Sequence, residues 1–168
     1  TRDRHHYTVR ESRYQGLHRA LAKAYGDQTL SVMSRSADGK DMILRASSDT
    51  NPGSIFIFNT EAKRAEFFWA NRSWMDPNQM RPMQIDEVIS KDGFSIPVRL
   101  TLPATDEPAP LIVNPHGGPH GISDDWAFNY ETQLLASRGY AVLQVNFRGS
   151  GGFGKKFEDA GHMEWGGK

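Results

Sequence analysis

The run Asn114-Pro-His-Gly-Gly-Pro-His-Gly121 follows a short apolar stretch, Leu111-Ile112-Val113, and its reading decides the fold. Three apolar residues bounded by proline predict a buried strand. The adjacent Gly117 and Gly118 have no Cβ, so their backbone N–H groups can turn outward and approach a ligand closely. Pro119 stiffens the turn by fixing φ. A helix is predicted next, with Asp124 or Asp125 as cap, Ala127, Tyr130 and Leu134 on one face, and Gly139 at its end. Residues 140–146 predict a second strand. Strand, helix and strand in that order imply a parallel pair joined by a right-handed crossover.

A strand that runs into His-Gly-Gly and then a helix is how α/β-hydrolases build half of an oxyanion hole. The requirement is geometric. Amide donors must stand about 3 Å from the forming oxyanion and be fixed in advance, and losing one costs on the order of 10²–10³ in rate. Gly-x-Ser-x-Gly, the nucleophile motif, occurs nowhere in the 168 residues. The expectation is a chain with the anion-stabilising half of a hydrolase site and without the nucleophile. Thr1-Arg-Asp-Arg-His-His6 and Glu164-Trp-Gly-Gly-Lys168 read as cut ends, so a fragment is expected.

Outward from this core, residues 85–90 and 94–102 predict two strands joined by the hairpin signal Lys91-Asp92-Gly93. Residues 103–110 form a proline-containing loop, and residues 152–162 begin another helix. Upstream the pattern differs. Residues 29–35, 41–46, 54–58 and 64–70 predict four strands about ten residues apart, with turns at Ala37-Asp38-Gly39, at Asn51-Pro52-Gly53 and at 59–63. The run Ile55-Phe56-Ile57-Phe58 lacks polar alternation, so this meander has two apolar faces to cover. That suits one blade of a β-propeller packed between neighbours. Residues 71–84 read as a linker broken by Pro77 and Pro82, with the domain boundary near 83. Residues 6–9 predict a short strand, and Leu17, Leu21 and Tyr25 line one face of a short helix stopped by Gly26.

Three other motifs carry less. His116 and His120 have the i, i+4 spacing of a zinc-binding helix, but Gly-Gly-Pro between them is not helical and the motif's Glu is missing. Gly149-x-Gly151-x-x-Gly154 matches the dinucleotide fingerprint formally. The strand before it ends in polar Gln144, Asn146 and Arg148, and the ribose-binding acid would fall beyond residue 168. A Gly-rich loop leaving a central strand, with Arg148 tethering carboxylates or carbonyls, is the preferred reading. Ser150 is not a nucleophile elbow, because Arg148 and not glycine lies two residues before it. His5, His6, His18 and His162 have no acid or base partner at interpretable spacing, and Trp126 and Trp165 read as packing positions.

Composition bounds the function. The chain is 38% hydrophobic and 24% charged, as expected of a soluble globular protein. Basic and acidic residues number 20 each, so charge offers no signature of a nucleic-acid or anionic-membrane partner. The absence of cysteine excludes disulfides and thiolate metal sites and leaves the compartment open, cytoplasm or periplasm. No apolar run approaches the ~18–20 residues that span a bilayer, and the first residues do not read as a signal peptide.

The octet 114–121, the run Gln133-Leu-Leu-Ala-Ser-Arg-Gly-Tyr-Ala-Val-Leu-Gln-Val-Asn-Phe-Arg-Gly-Ser-Gly-Gly-Phe-Gly-Lys155 and Glu164-Trp-Gly-Gly167 resemble the prolyl oligopeptidase family of serine peptidases. The similarity is to its acylaminoacyl-peptidase and dipeptidyl-aminopeptidase-like branch. Ser48-Asp-Thr-Asn-Pro-Gly53 and Ser90-Lys-Asp-Gly-Phe94 are similar to that family's last propeller blade and its entry into the hydrolase domain. The resemblance covers about residues 29–168. It implies a β-propeller capping an α/β-hydrolase, with a Ser-Asp-His triad between them and short peptides as substrates. Residues 1–83 would then hold the C-terminal end of the propeller, with one blade at about 29–70 and a linker, and residues 84–168 the N-terminal part of the catalytic domain. By resemblance, Gly118 offers an oxyanion-hole amide, with Gly117 beside it in the loop. His116 sits where some branches place a tyrosine whose hydroxyl does that work; the imidazole either assists or orders the loop. The family's triad lies C-terminal to residue 168, so no triad residue is assigned and this chain alone is expected to be inactive. No cofactor or metal is implied, and oligomerisation is left open.

Three rivals stay open on sequence. An α/β-hydrolase esterase shares His-Gly-Gly. A non-catalytic propeller and hydrolase-like binding protein would lack the serine. A nucleotide-binding oxidoreductase would rest on Gly149, Gly151 and Gly154.

Overall fold

A computed structural model describes Arg19, Lys23, Tyr25, Gly26 and residues 28–118, 120–164 and 166. Among these residues the chain divides between Met80 and Arg81 into two compact units. Of the helix expected over 17–25, Arg19, Lys23 and Tyr25 are helical and Gly26 takes a φ of 56°. The rest of that helix, the strand expected at 6–9, Pro119 and Trp165 lie outside the described residues.

The first unit is an antiparallel meander of β1 (Thr29–Arg35), β2 (Asp41–Ser47), β3 (Ser54–Asn59) and β4 (Arg64–Ala70), in sheet order β1-β2-β3-β4. Runs of β-forming residues and the tight turns between them place these strands within a residue of their expected bounds. Met42 faces Phe58 across the sheet, and Leu44 faces Phe56. Directly opposite residues share a face, so Met42, Leu44 and Phe58 form a buried apolar cluster. The other face presents the opposed pair Ile43 and Ile57, both exposed. A bulge in β4 pairs Ile55 with Trp69 and Phe56 with Phe67, and Phe67, Phe68 and Trp69 are all exposed at this edge strand.

The turn between β2 and β3 is buried and polar. Ser48 Oγ accepts from the Thr50 and Asn51 amides, and Asn51 Oδ1 accepts from the Gly53 amide. Gly53 takes a φ of 132°, a conformation that side-chain-bearing residues rarely adopt, so this turn requires glycine.

In the second unit, β5 (Met83–Ile89), β6 (Ser95–Thr101), β7 (Leu111–Val113) and β8 (Ala141–Val145) form one sheet in the order β5-β6-β8-β7. β7 and β8 are parallel and the other pairings antiparallel, as the strand–helix–strand order predicts. Two short helices accompany the sheet, α1 (Tyr130–Ser137) between β7 and β8 and α2 (Lys155–Asp159) after β8. Arg81 is tied into this unit, because Gln133 accepts from the Arg81 amide and donates to the Arg81 carbonyl. The Arg81 guanidinium also donates to the Leu102 and Pro103 carbonyls.

The two faces of this sheet differ. Ile96 and Val98 pack with Phe157 of α2, joined by Phe94, Leu143, Val145 and Phe153. The opposite face carries Arg99, Thr101, Val142 and Gln144, all buried. Thr132 of α1 donates to Gln144 there, with Gln133 and Ala136 also buried.

That arrangement corrects two expectations for α1. Its cap is Asn129, whose side chain accepts from the Thr132 amide, and neither Asp124 nor Asp125 caps it. Asp124 is drawn off by Asn146, which binds both its amide and its carbonyl. Tyr130 and Leu134 are exposed, and Ala127 precedes the helix, because the buried stripe is polar and hydrogen-bonded. Trp126 is buried, as a packing position should be. Among the described residues no helix is long and apolar enough to cross a membrane.

Candidate functional site

β7 ends at Val113, and the Asn114 amide donates to the Leu143 carbonyl, so the chain leaves the sheet beside the end of β8. The Asn114 side chain donates to Glu131 in the first turn of α1. His116, Gly117 and Gly118 follow in an irregular loop. Both ring nitrogens of His116 are engaged: Nδ1 lies 2.5 Å from the Gly117 carbonyl oxygen and Nε2 lies 2.9 Å from Ser150 Oγ. The imidazole also stacks on Phe147, with centroids 4.5 Å apart and planes 23° from parallel.

The Gly117 carbonyl and the Gly118 amide belong to one peptide unit. That unit is planar and trans, so the two groups point in opposite directions. Holding the carbonyl against the imidazole aims the Gly118 N–H away from it. Gly117 and Gly118 are exposed, and among the described residues neither amide has an acceptor. A Cβ at Gly117 would meet nothing within 4 Å, so the loop presents an open backbone surface there. Chemically, outward amides on a fixed loop stabilise a negative oxygen.

The far side of the loop is tied to the segment after β8. Gly121 donates to Gly149, and Gly151 donates to Ile122. A Cβ at Gly151 would lie 2.5 Å from the Gly121 carbonyl oxygen, and one at Gly161 would lie 2.6 Å from the Arg148 carbonyl oxygen. The glycines of the formal dinucleotide fingerprint therefore serve backbone-to-backbone closure. Gly149 and Gly152 take φ of 99° and 85°, and Gly154, at 91°, is the N-cap of α2.

Arg148 pairs with Asp92 in the β5–β6 turn at 2.5 Å and lies over the Phe94 ring. Asp92 is held down to about 2, first by the Ser90 hydroxyl and then by Arg148. Burial pushes the Asp124 carboxyl up, against the opposing influence of His116, Gln144 and Arg99. Its Oδ2 is buried with no hydrogen-bond partner among the described residues. His120 packs edge-on against His162, and His162 lies 3.9 Å from Asp159. With His116 spent on Gly117 and Ser150, the two histidines of the loop do not share a ligand site.

The sequence-predicted residues 116–118 are contiguous, so the structure had only to orient them. Phe147, Ser150, Asn146 and Asp124 were not anticipated as parts of the site. Ser150 is 34 residues from His116, and no local spacing signals that pairing.

The model of the prolyl oligopeptidase family matches residues 126–168. Dipeptidyl aminopeptidase BIII of Pseudoxanthomonas mexicana is 36% identical over 155 residues, covering 87% of this chain and 22% of that protein. The chain belongs to the prolyl oligopeptidase family. Dipeptidyl peptidase family member 6 of Caenorhabditis elegans is 30% identical over 163 residues, covering 83% of the chain and 22% of that protein. Among solved structures of the family, dipeptidyl peptidase 4 of Porphyromonas gingivalis matches with a TM-score of 0.59 at 18% identity, over 83% of this chain and 21% of that one. That likeness carries the fold alone. The chain thus spans about a fifth of the length of these prolyl oligopeptidase relatives.

Proposed function

We propose that this chain supplies the oxyanion loop of a serine peptidase that cleaves short peptides through an acyl-enzyme. The observation that carries the reading is the pair of exposed amides at Gly117 and Gly118, held by His116 and lacking acceptors among the described residues. The names of the relatives, dipeptidyl aminopeptidase and dipeptidyl peptidase, support peptide bonds near an N-terminus as the target. Residues 29–70 are then one propeller blade, and residues 81–168 the first strands of an α/β-hydrolase domain.

In this mechanism a serine carried on sequence outside these 168 residues attacks the scissile carbonyl carbon. A histidine takes its proton, and the carbonyl electron pair moves onto oxygen. The Gly118 amide and the amide following the serine receive that oxygen. As the intermediate collapses the histidine gives that proton to the departing peptide amine, and it then takes a proton from the water that hydrolyses the ester and returns it to the serine oxygen. His116 acts by ordering the loop, since neither of its ring nitrogens is left for the oxyanion. The 168-residue chain by itself is inactive, because stabilising an oxyanion without a nucleophile yields little turnover.

The test is hydrolysis by the full-length protein of dipeptidyl and acyl-aminoacyl anilides, together with labelling by a serine-directed fluorophosphonate. Anilide turnover with stoichiometric labelling supports the reading. Turnover of simple esters alone would favour an esterase, and neither turnover nor labelling would favour a binding protein.

A further inference from the structure

We propose that Ser150 is a positioning residue for the Gly118 amide and acts by holding the His116 ring against the Gly117 carbonyl. The inference deepens the oxyanion reading above and rests on it.

A carbonyl oxygen only accepts, so the Nδ1 atom that faces the Gly117 oxygen at 2.5 Å must carry the proton. A neutral imidazole carries one N–H, which leaves a lone pair on Nε2. Ser150 Oγ lies 2.9 Å from that atom and donates to it. Ser150 is 1% exposed, so bulk water has little access to replace the hydroxyl.

The serine is itself fixed. Its amide donates to the Phe147 carbonyl, and the Phe147 ring is the one that stacks on His116. Gly149 and Gly151 on either side are tied to Gly121 and Ile122 of the same loop. One short segment thus holds the imidazole by a face and by an edge, and anchors the far end of the loop it orders.

Without the hydroxyl, Nε2 loses its partner and the ring is free to turn away from the Gly117 oxygen. The peptide unit, no longer held, would then rotate. Because the Gly117 carbonyl and Gly118 N–H turn together, the amide would lose its aim without being removed. The serine of Gly149-Ser-Gly151, which is no nucleophile, thereby serves the reaction without touching the reacting atoms.

The test uses the full-length protein, labelled with ¹⁵N-histidine, as wild type and Ser150→Ala. The expected result is a fall in kcat of about tenfold, below the 10²–10³ that follows loss of an oxyanion donor, with KM nearly unchanged. The His116 Nδ1–H proton should exchange faster with solvent as its bond to Gly117 loosens, with the thermal midpoint nearly unchanged. An active wild type whose Ser150→Ala variant keeps its kcat, or keeps the wild-type exchange rate at Nδ1–H, overturns this inference and leaves the oxyanion reading standing. A wild type without turnover overturns both.

Discussion

Gly151 lies against Gly121 so closely that a Cβ at position 151 would stand 2.5 Å from the Gly121 carbonyl oxygen. The obstacle is backbone on both sides, and the two segments are bridged by hydrogen bonds from Gly121 to Gly149 and from Gly151 to Ile122. Gly151→Ala should therefore push the loop off the β8–α2 segment, costing about 1–3 kcal/mol as other overpacked sites do. Urea denaturation of the full-length protein measures the loss. An unchanged midpoint would mean that the loop is free to give way.

His116→Ala removes the hold on the Gly117 carbonyl, the Nε2 acceptor of Ser150 and the stack on Phe147 together. Its effect on kcat should exceed that of Ser150→Ala and approach the 10²–10³ of a lost oxyanion donor. Steady-state hydrolysis of a peptide anilide reads it, with the melting curve as the control for folding.

The Asp92–Arg148 pair gives a pH prediction with a definite sign. Asp92 is lowered from 3.8 to about 2 in the folded chain. A depressed carboxyl contributes stability that is present above its unfolded value and lost as pH falls through its folded one. Wild type should melt above Asp92→Asn at pH 5, and the gap should close between about pH 4 and pH 2. Asp124 acts in the opposite sense, because burial raises it and acid relieves the strain of its charge. Comparison at Asp92 isolates the first effect. A gap independent of pH would show that the pair is not what separates the two proteins.

Gln133 is 5% exposed and grips the Arg81 amide and carbonyl at 2.8 and 2.7 Å. Gln133→Ala leaves both backbone groups to find other partners, at a cost of about 1–3 kcal/mol. The same substitution should expose the 71–81 segment to limited proteolysis. Cleavage rates at this segment equal to wild type would contradict the clamp.

β7 is the edge of its sheet, and Leu111 and Val113 are each 56% exposed on it. An open apolar edge pairs with other chains. The 168-residue chain alone should associate in a concentration-dependent way, visible by sedimentation. A sharp melt of a monomer, independent of concentration, would contradict this.

The strands were legible because two local signals agree. Hydrophobic alternation at Leu30 and Val32 marks β1, and turn residues such as Asp38-Gly39 and Asp92-Gly93 mark where strands reverse. The oxyanion candidates were legible because 116–118 are adjacent and sit between a strand and a helix. Helix α1 was legible only in its existence and its C-terminal end before Gly139. Its apolar residues Tyr130 and Leu134 are exposed, while its buried contacts are polar, Thr132 to Gln144 and Gln133 to Arg81. Hydrophobic periodicity cannot find such a face. Its cap was misplaced because three side chains in 124–129, Asp124, Asp125 and Asn129, are capping acceptors, and long-range bonding to Asn146 withdrew Asp124 from the competition. Ser150 was unreadable as a partner of His116 because that contact exists only once the segment after β8 closes over the loop.

The most direct measurement is the structure of the full-length protein after reaction with a fluorophosphonate, whose tetrahedral phosphorus mimics the acyl-transfer intermediate. The expected structure holds a serine adduct with one phosphoryl oxygen about 3 Å from the Gly118 nitrogen and His116 still bound to Gly117 and Ser150. An adduct whose oxygen points away from residues 117 and 118, or no adduct at all, would contradict it.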